Sequence, residues 1–70
     1  MRTATSTDFG QVLRARRRAL SLTQEDVAGV VGVNRRVISE LERGKGTVRL
    51  EIALEAARTL GLDVDLRPRS

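Results

Sequence analysis

Two glycines, Gly32 and Gly44, divide the centre of the chain into short segments, and this division limits the folds open to it. Thr23 can cap a helix that Gly32 ends after about eight residues. Asn34 can cap a second helix of similar length that Gly44 ends. The segment therefore predicts two short helices joined by a glycine-containing turn, which is a helix-turn-helix unit.

The residues on either side of this turn support the same unit. Ala28 lies four residues before Gly32, and Ile38 lies six residues after it. A small Ala28 allows close approach of the second helix, Gly32 tolerates positive φ, and Ile38 can pack against the first helix. The alternative, a generic helical hairpin, needs apolar residues but not these three at these offsets. The other positions expected to face inward are Val27, Val31, Val33 and Leu41.

Two further helices are expected to flank this unit. The first, capped by Ser6 or Thr7, runs to about Leu20, and the last covers about Leu50–Leu60, with Thr47 as the better capping residue. Gly61 ends the last helix, which is more apolar than a single buried face requires. We therefore expect an all-α domain of four helices, or five short ones, over residues 8–61, preceded by a flexible segment of residues 1–7.

The first helix carries charge on its apolar side. Its inward stripe is interrupted by Arg16 and Arg17, and a charge in that position must reach solvent or find a partner. The stripe itself consists of Phe9, Val12, Leu13 and Leu20.

The end of the chain alternates strictly between apolar and acidic residues, from Leu62 to Leu66. This pattern predicts a strand over residues 62–67 that Pro68 ends, followed by a tail of residues 68–70. A lone strand leaves its backbone groups unpaired, so we expect it to pair antiparallel with the same strand of a second copy. An unpaired, disordered tail is the alternative. The predicted dimerisation residues are Leu62, Val64 and Leu66.

Composition excludes several classes of function. The chain has no cysteine and no histidine, so we expect no disulfide, metal site, cofactor or nucleophilic catalysis, and no enzyme. Its length leaves no room for a separate domain that senses a small-molecule ligand. The longest apolar run, VAGVVGV, is too short for a bilayer, and no signal-peptide core is present. We therefore expect no membrane partner and a cytoplasmic location.

Positive charge is concentrated in the first two thirds of the chain. Residues 1–49 contain ten Arg or Lys and five Asp or Glu, a balance of +5, whereas residues 50–70 contain three and four, a balance of −1. This distribution favours binding of a polyanion, although solubility alone is the simpler interpretation. Single-stranded RNA is disfavoured, because Phe9 is the only aromatic residue and bases need aromatic platforms.

The segment TQEDVAGVVGVNRRVISELERGK resembles the Xre-type helix-turn-helix of phage repressor and Cro proteins, and LRARRRALSL resembles that family's first helix. The resemblance implies binding of double-stranded operator DNA. It also implies that Arg17 pairs with Glu42. Gly29 and Val30 depart from the family, which usually has polar helix formers there. The implied base-reading residues are Asn34, Arg35, Arg36, Ser39 and Glu40, and the implied phosphate contacts are Thr23, Gln24, Arg43, Lys45 and Arg17.

The arrangement of a helix-turn-helix followed by a short strand is similar to HipB-type antitoxins. This resemblance implies a homodimeric, autoregulating repressor at the bacterial nucleoid, with a HipA-like kinase toxin as a further partner. A stand-alone Xre-family regulator without a toxin is the alternative. Arg14, Arg16 and Arg18 are assigned mostly to a solvated basic face.

Overall fold

The computed structural model describes residues 3–69, and four α-helices make up its regular structure. Residues 1, 2 and 70, which belong to the predicted flexible segment and tail, lie outside the described residues. The helices are α1 (Ser6–Ala19), α2 (Gln24–Val31), α3 (Arg35–Glu42) and α4 (Leu50–Thr59). The prediction of a four-helix, all-α domain is confirmed.

The helix-turn-helix unit forms as its spacing predicts. Thr23 and Asn34 cap α2 and α3 with their side chains, and α2 ends at Gly32, which has a φ of +84°. The backbone N–H groups of Gly32 and Val33 both donate to the carbonyl of Ala28, which closes the turn. Ala28 and Ile38 are buried on its inner side.

The core is aliphatic and lies where α3 packs against α1 and α2, and α2 against α4. Helix α4 contributes small residues, which let α2 approach it closely. Phe9, Val31 and Val33 pack against the core from its edge, whereas Leu20, predicted to be inward, is 41% exposed. The buried apolar residues are Leu13, Val27, Ala28, Ile38, Leu41, Ala53, Ala56, Ala57 and Leu60.

Helix α1 approaches α3 unusually closely at Gly10, a position that the sequence did not single out. Gly10 is buried, and a Cβ atom built on it would lie 2.6 Å from the carbonyl oxygen of Glu42 and would also overlap that of Leu41. The same end of α1 is held by Ser6, whose Oγ donates to the carbonyl of Gly44 at 2.9 Å. The C-terminal end of α3 is therefore fixed against the first turns of α1.

Two predicted caps are wrong. Thr5, rather than Ser6 or Thr7, caps α1, since its Oγ1 accepts from the Asp8 N–H at 3.1 Å. Helix α4 begins after Arg49 without a side-chain cap, so Thr47 does not cap it. Of three adjacent hydroxyl residues, Thr5 caps α1, and the Ser6 hydroxyl instead contacts the carbonyl of Gly44.

The predicted C-terminal strand is absent from the single chain. After α4 and its turn at Gly61, no β-strand occurs as far as residue 69, the last one described. Leu62 packs against the core, but Val64 is 48% and Leu66 is 90% exposed. A ladder needs a second strand, and the single chain does not supply one, so pairing between copies stays a prediction. Within residues 3–69, no helix is long and apolar enough to cross a membrane.

Candidate nucleic-acid interface

A buried ion pair joins α1 to α3 directly behind the exposed side of the helix-turn-helix. The Arg17 Nε and Nη2 donate to the two carboxylate oxygens of Glu42 at 2.6 and 3.0 Å, and Nη1 donates to the carbonyl of Leu22 at 2.8 Å. The side chains are only 12% and 4% exposed. The hydrogen bond with Glu42 raises the pKa of Arg17, against an opposing effect of burial. The predicted pairing of Arg17 with Glu42 is confirmed, whereas its predicted phosphate contact stays a prediction.

Gln24, the first residue of α2, extends this pair to the surface. Its Nε2 donates to Glu42 Oε1 at 3.1 Å, and its Oε1 accepts from Arg35 Nη1 at 2.9 Å. One chain of hydrogen bonds therefore runs from the buried guanidinium of Arg17 to the exposed guanidinium of Arg35. Sequence spacing gives no signal for this link, because only the crossing of α2 and α3 brings the two side chains together.

The first turn of α3 presents two exposed arginines to solvent. Arg35 is held by Gln24, but the Arg36 side chain has no hydrogen bond or ion pair to any residue from 3 to 69. Asn34 caps the helix through its Oδ1, which accepts from the Arg36 N–H at 2.8 Å, so its amide nitrogen is the group left for a ligand. The two arginines thus differ in freedom, with Arg35 oriented and Arg36 free.

Glu40 and Lys45, both predicted to contact DNA, are paired with each other. The Lys45 Nζ lies 2.9 Å from Glu40 Oε2, and the side chains are 53% and 23% exposed. The hydrogen bond from Lys45 lowers the pKa of Glu40, and the charges of Arg36 and Arg43 add to this effect. Exposed pairs of this kind contribute little stability, so a phosphate group can replace the carboxylate as the partner of Lys45.

The remaining predicted contacts lie around two depressions. One, of about 310 Å³, is lined by Thr23, Gln24 and Arg35 at the N-terminus of α2. Thr23 is engaged in a capping box, since its Oγ1 accepts from the Asp26 N–H at 3.0 Å and its own N–H donates to the Asp26 carboxylate at 2.8 Å. Hydrogen bonds to the Asp26 carboxylate from Thr23, first from its backbone N–H and then from its side chain, lower the pKa of Asp26.

The second depression, of about 370 Å³, is a groove between α1 and α3, which we call the arginine groove. Ser39 and Arg43 line it from α3 and its C-cap, and Arg14 and Arg18 line it from α1. Gln24, Arg17 and Glu42 form its remaining lining. The structure thus places Gln24, Ser39 and Arg43 at one groove, whereas Glu40 and Lys45 form a separate pair.

Comparison with known proteins identifies the fold that carries these residues. A family model described as helix-turn-helix matches residues 13–66. The chain belongs to the Xre-type helix-turn-helix family of DNA-binding proteins. An uncharacterised helix-turn-helix-type transcriptional regulator of Sinorhizobium fredii, y4mF, is 38% identical over 93% of the chain and 86% of its own length. Another, from Methanothermobacter thermautotrophicus, is 44% identical over 71% of the chain and 72% of its own length.

Solved structures give the same fold at lower sequence identity. A HipB–O4 20mer complex superposes with a TM-score of 0.89, covering all of this chain and 99% of that one, at 18% identity. A structure titled MDT Protein gives the same score, identity and coverage. At this identity the likeness concerns the fold alone.

Proposed function

We propose that this protein is a sequence-specific repressor of transcription that binds a palindromic operator in double-stranded DNA as a homodimer. The observation that carries the proposal is the exposed start of α3, where Arg35 is oriented by Gln24 and Arg36 is free. A helix presented in this way fits the major groove, in which arginine pairs bidentately with guanine. Membership of the family and the names of its curated relatives support the same function.

The roles of the two arginines follow from their surroundings. We assign base reading to Arg36, because its guanidinium makes no hydrogen bond or ion pair within residues 3–69 and Glu40 acts on it only through its charge. Arg35 reaches DNA from the position that Gln24 sets, next to the N-terminus of α2, where backbone N–H groups favour a phosphate. Operators should therefore carry a G·C pair in each half-site, opposite the start of α3.

Operator variants can separate base reading from phosphate contact. We expect Arg36→Ala to lose about 1–3 kcal/mol on the operator and much less on operators that already lack the G·C pair. Lys45→Ala, a matched loss of one positive charge, should weaken all variants by the same factor. The operator is first selected from a random library of duplexes with the wild-type protein. The affinities of both variants for this operator and its base-pair variants then distinguish base reading from phosphate contact. A uniform loss for Arg36→Ala would remove its base-reading role.

Dimerisation is supported by exposed apolar residues at the end of the chain. Leu50 and Leu54, one turn apart on α4, are 72% and 37% exposed, and Val64 and Leu66 are exposed in the tail. Paired tails from two copies would satisfy each other's backbone groups and cover this face of α4. A two-fold dimer would also set the separation of the two α3 helices, and hence of the half-sites.

Sedimentation tests the dimer. Removal of residues 62–70 should give a monomer with weakened operator binding, but it also removes Leu62 from the core edge. Leu66→Lys is the cleaner variant, because Leu66 is 90% exposed in the single chain and its loss leaves the fold intact. We expect a folded monomer. A dimer of unchanged stability would contradict the paired-tail interface.

We further propose that the protein is the autoregulating antitoxin of a HipBA-like toxin–antitoxin module. The support is the fold shared with HipB over the whole chain, tail included. Co-purification with the product of the adjacent gene tests this partner. A stable complex with a kinase-like protein supports the antitoxin role, whereas operator binding without any such partner makes the protein a stand-alone regulator.

A further inference from the structure

The four arginines of α1 divide into two pairs with different surroundings. Arg17 donates its hydrogen bonds to Glu42 and to the carbonyl of Leu22. The Arg16 Nε donates to the carbonyl of Leu60 at 2.9 Å, and this bond connects α1 to the end of α4. Arg14 and Arg18 have no such partner among residues 3–69, and both side chains are exposed. Two of the four arginines therefore hold the fold together, and the other two do not.

Arg14 and Arg18 face a groove that already holds unpaired positive charge. They stand one turn apart on α1, and Ser39 and Arg43 stand one turn apart on the opposite wall. The two nearby carboxylates are occupied, Glu42 by Arg17 and Glu40 by Lys45. Arg14 and Arg18 therefore line the arginine groove without a counter-ion among residues 3–69, and Arg43, on the opposite wall, interacts only through its charge with Glu40, which Lys45 already pairs.

This arrangement costs stability that the fold recovers only in part. Like charges four residues apart destabilise a helix by about 0.2–0.5 kcal/mol. The dipole of α1 offsets this for Arg18, which lies in the last turn, but not for Arg14, which lies in the middle of the helix. A bound anion would turn the same three charges into a favourable site.

We propose that the arginine groove binds phosphodiester groups of the DNA backbone, so that Arg14 and Arg18 extend the protein–DNA contact from the helix-turn-helix onto α1. The proposal rests on the proposed function, since Ser39 and Gln24 join the groove to the exposed face of α3. The contact carries no sequence information, because phosphate is the same at every base step. It supplies affinity, orientation and salt dependence.

Salt dependence of binding tests the proposal. Each phosphate contact contributes about 0.9 to the slope of log affinity against log salt concentration, so Arg14→Ala/Arg18→Ala should lower the slope by about 2. The loss of affinity should be equal on the selected operator and on a scrambled duplex. Arg14→Lys/Arg18→Lys should keep most of the slope. Arg58→Glu, on α4 outside the groove, is the matched control because it changes the net charge by the same two units.

The outcomes separate this proposal from the function on which it rests. Preference of the wild-type protein for operator over scrambled duplex supports the proposed function, whatever the groove does. The wild-type protein can prefer the operator while Arg14→Ala/Arg18→Ala keeps the wild-type salt slope, or while its affinity falls no more than that of Arg58→Glu. In either case the groove is not a phosphate site. If the wild-type protein binds neither duplex, both proposals fail. Thermal melting shows whether the variants fold.

Chemical neutralisation of single phosphates gives an independent measurement. Methylphosphonate substitution at each operator phosphate should identify positions at which the wild-type protein loses affinity and the double variant loses none. Phosphates at which only the wild-type protein loses affinity are the ones that contact Arg14 and Arg18. Equal losses for both proteins at every position would overturn the assignment.

Discussion

Replacement of Gly10 by alanine tests the close approach of α1 to α3. The new Cβ atom would lie 2.6 Å from the carbonyl oxygen of Glu42, about 0.8 Å short of the 3.4 Å at which ordinary contact begins. The obstacle is backbone and cannot rotate away, so α1 must move off α3. Overpacking of this kind costs about 3 kcal/mol at the upper end of its usual range, and the better helix propensity of alanine returns about 1 kcal/mol.

We therefore expect Gly10→Ala to lose about 2 kcal/mol of unfolding free energy, a fall in melting temperature of about 8–16 °C for a domain of this size. Gly29→Ala is the matched control, because Gly29 is exposed on α2 and has no atom within 4 Å of its built Cβ. This control should gain about 1 kcal/mol. Both melting curves must be measured at equal protein concentration, since dimerisation would add to stability.

A Gly10→Ala protein that melts at or above the wild-type temperature would refute the reasoning. It would mean that α1 and α3 are not held at the distance described, and that the geometry of the Arg17–Glu42 pair is looser than described. A fall in both variants would mean that the loss at Gly10 cannot be assigned to the backbone overlap alone.

Three further tests concern the Arg17–Glu42 ion pair, the capping box of α2 and the turn that follows α1. Glu42→Ala should lower the free energy of unfolding, measured with denaturant, by about 3–5 kcal/mol, because it leaves the buried charge of Arg17 without a partner. Arg17→Met/Glu42→Met, which removes both charges, should lower it far less. The pKa of Asp26 is lowered from its ordinary value of 3.8, so its stabilising effect is present above that value and is lost as the pH falls through the folded-state pKa. Asp26→Asn should remove this acid dependence from the unfolding free energy measured between about pH 5 and pH 2. Ser21 has a φ of +57°, so Ser21→Gly should raise the unfolding free energy by about 0.5 kcal/mol, and a lower melting temperature would contradict that strain.

The helix-turn-helix could be predicted because its signals are local. Thr23, Gly32 and Asn34 act through their own backbone neighbours, and their spacing is visible in the chain. The start of α1 could not be predicted to the residue, because Thr5, Ser6 and Thr7 are equally able to cap. The Ser6 hydroxyl contacts the carbonyl of Gly44, 38 residues away, and no local pattern signals that contact.

Contacts between helices were mostly beyond prediction. The pairing of Arg17 with Glu42 came from resemblance to a family, but the link from Gln24 to Arg35 and the bond from Arg16 to Leu60 depend on how the helices cross. No pattern in the sequence identified Gly10, where the backbones of α1 and α3 lie too close for a Cβ atom. The alternating pattern of the tail predicted a strand, which the single chain does not form. A strand there needs a second copy to pair with, and the sequence of one chain does not show whether that copy is present.

Helix α3 assigns packing and exposure to different residues. Ile38, Leu41 and Glu42 are buried, whereas Arg35 and Arg36 are exposed, and only Arg35 is tied to the network behind it. The identity of residue 36 is therefore free of the constraints of folding. If Arg36 reads a base as proposed, exchange at that single position changes operator preference while the scaffold stays the same. A designer who wishes to redirect the protein to a new site should randomise residue 36 first and leave Gln24 untouched.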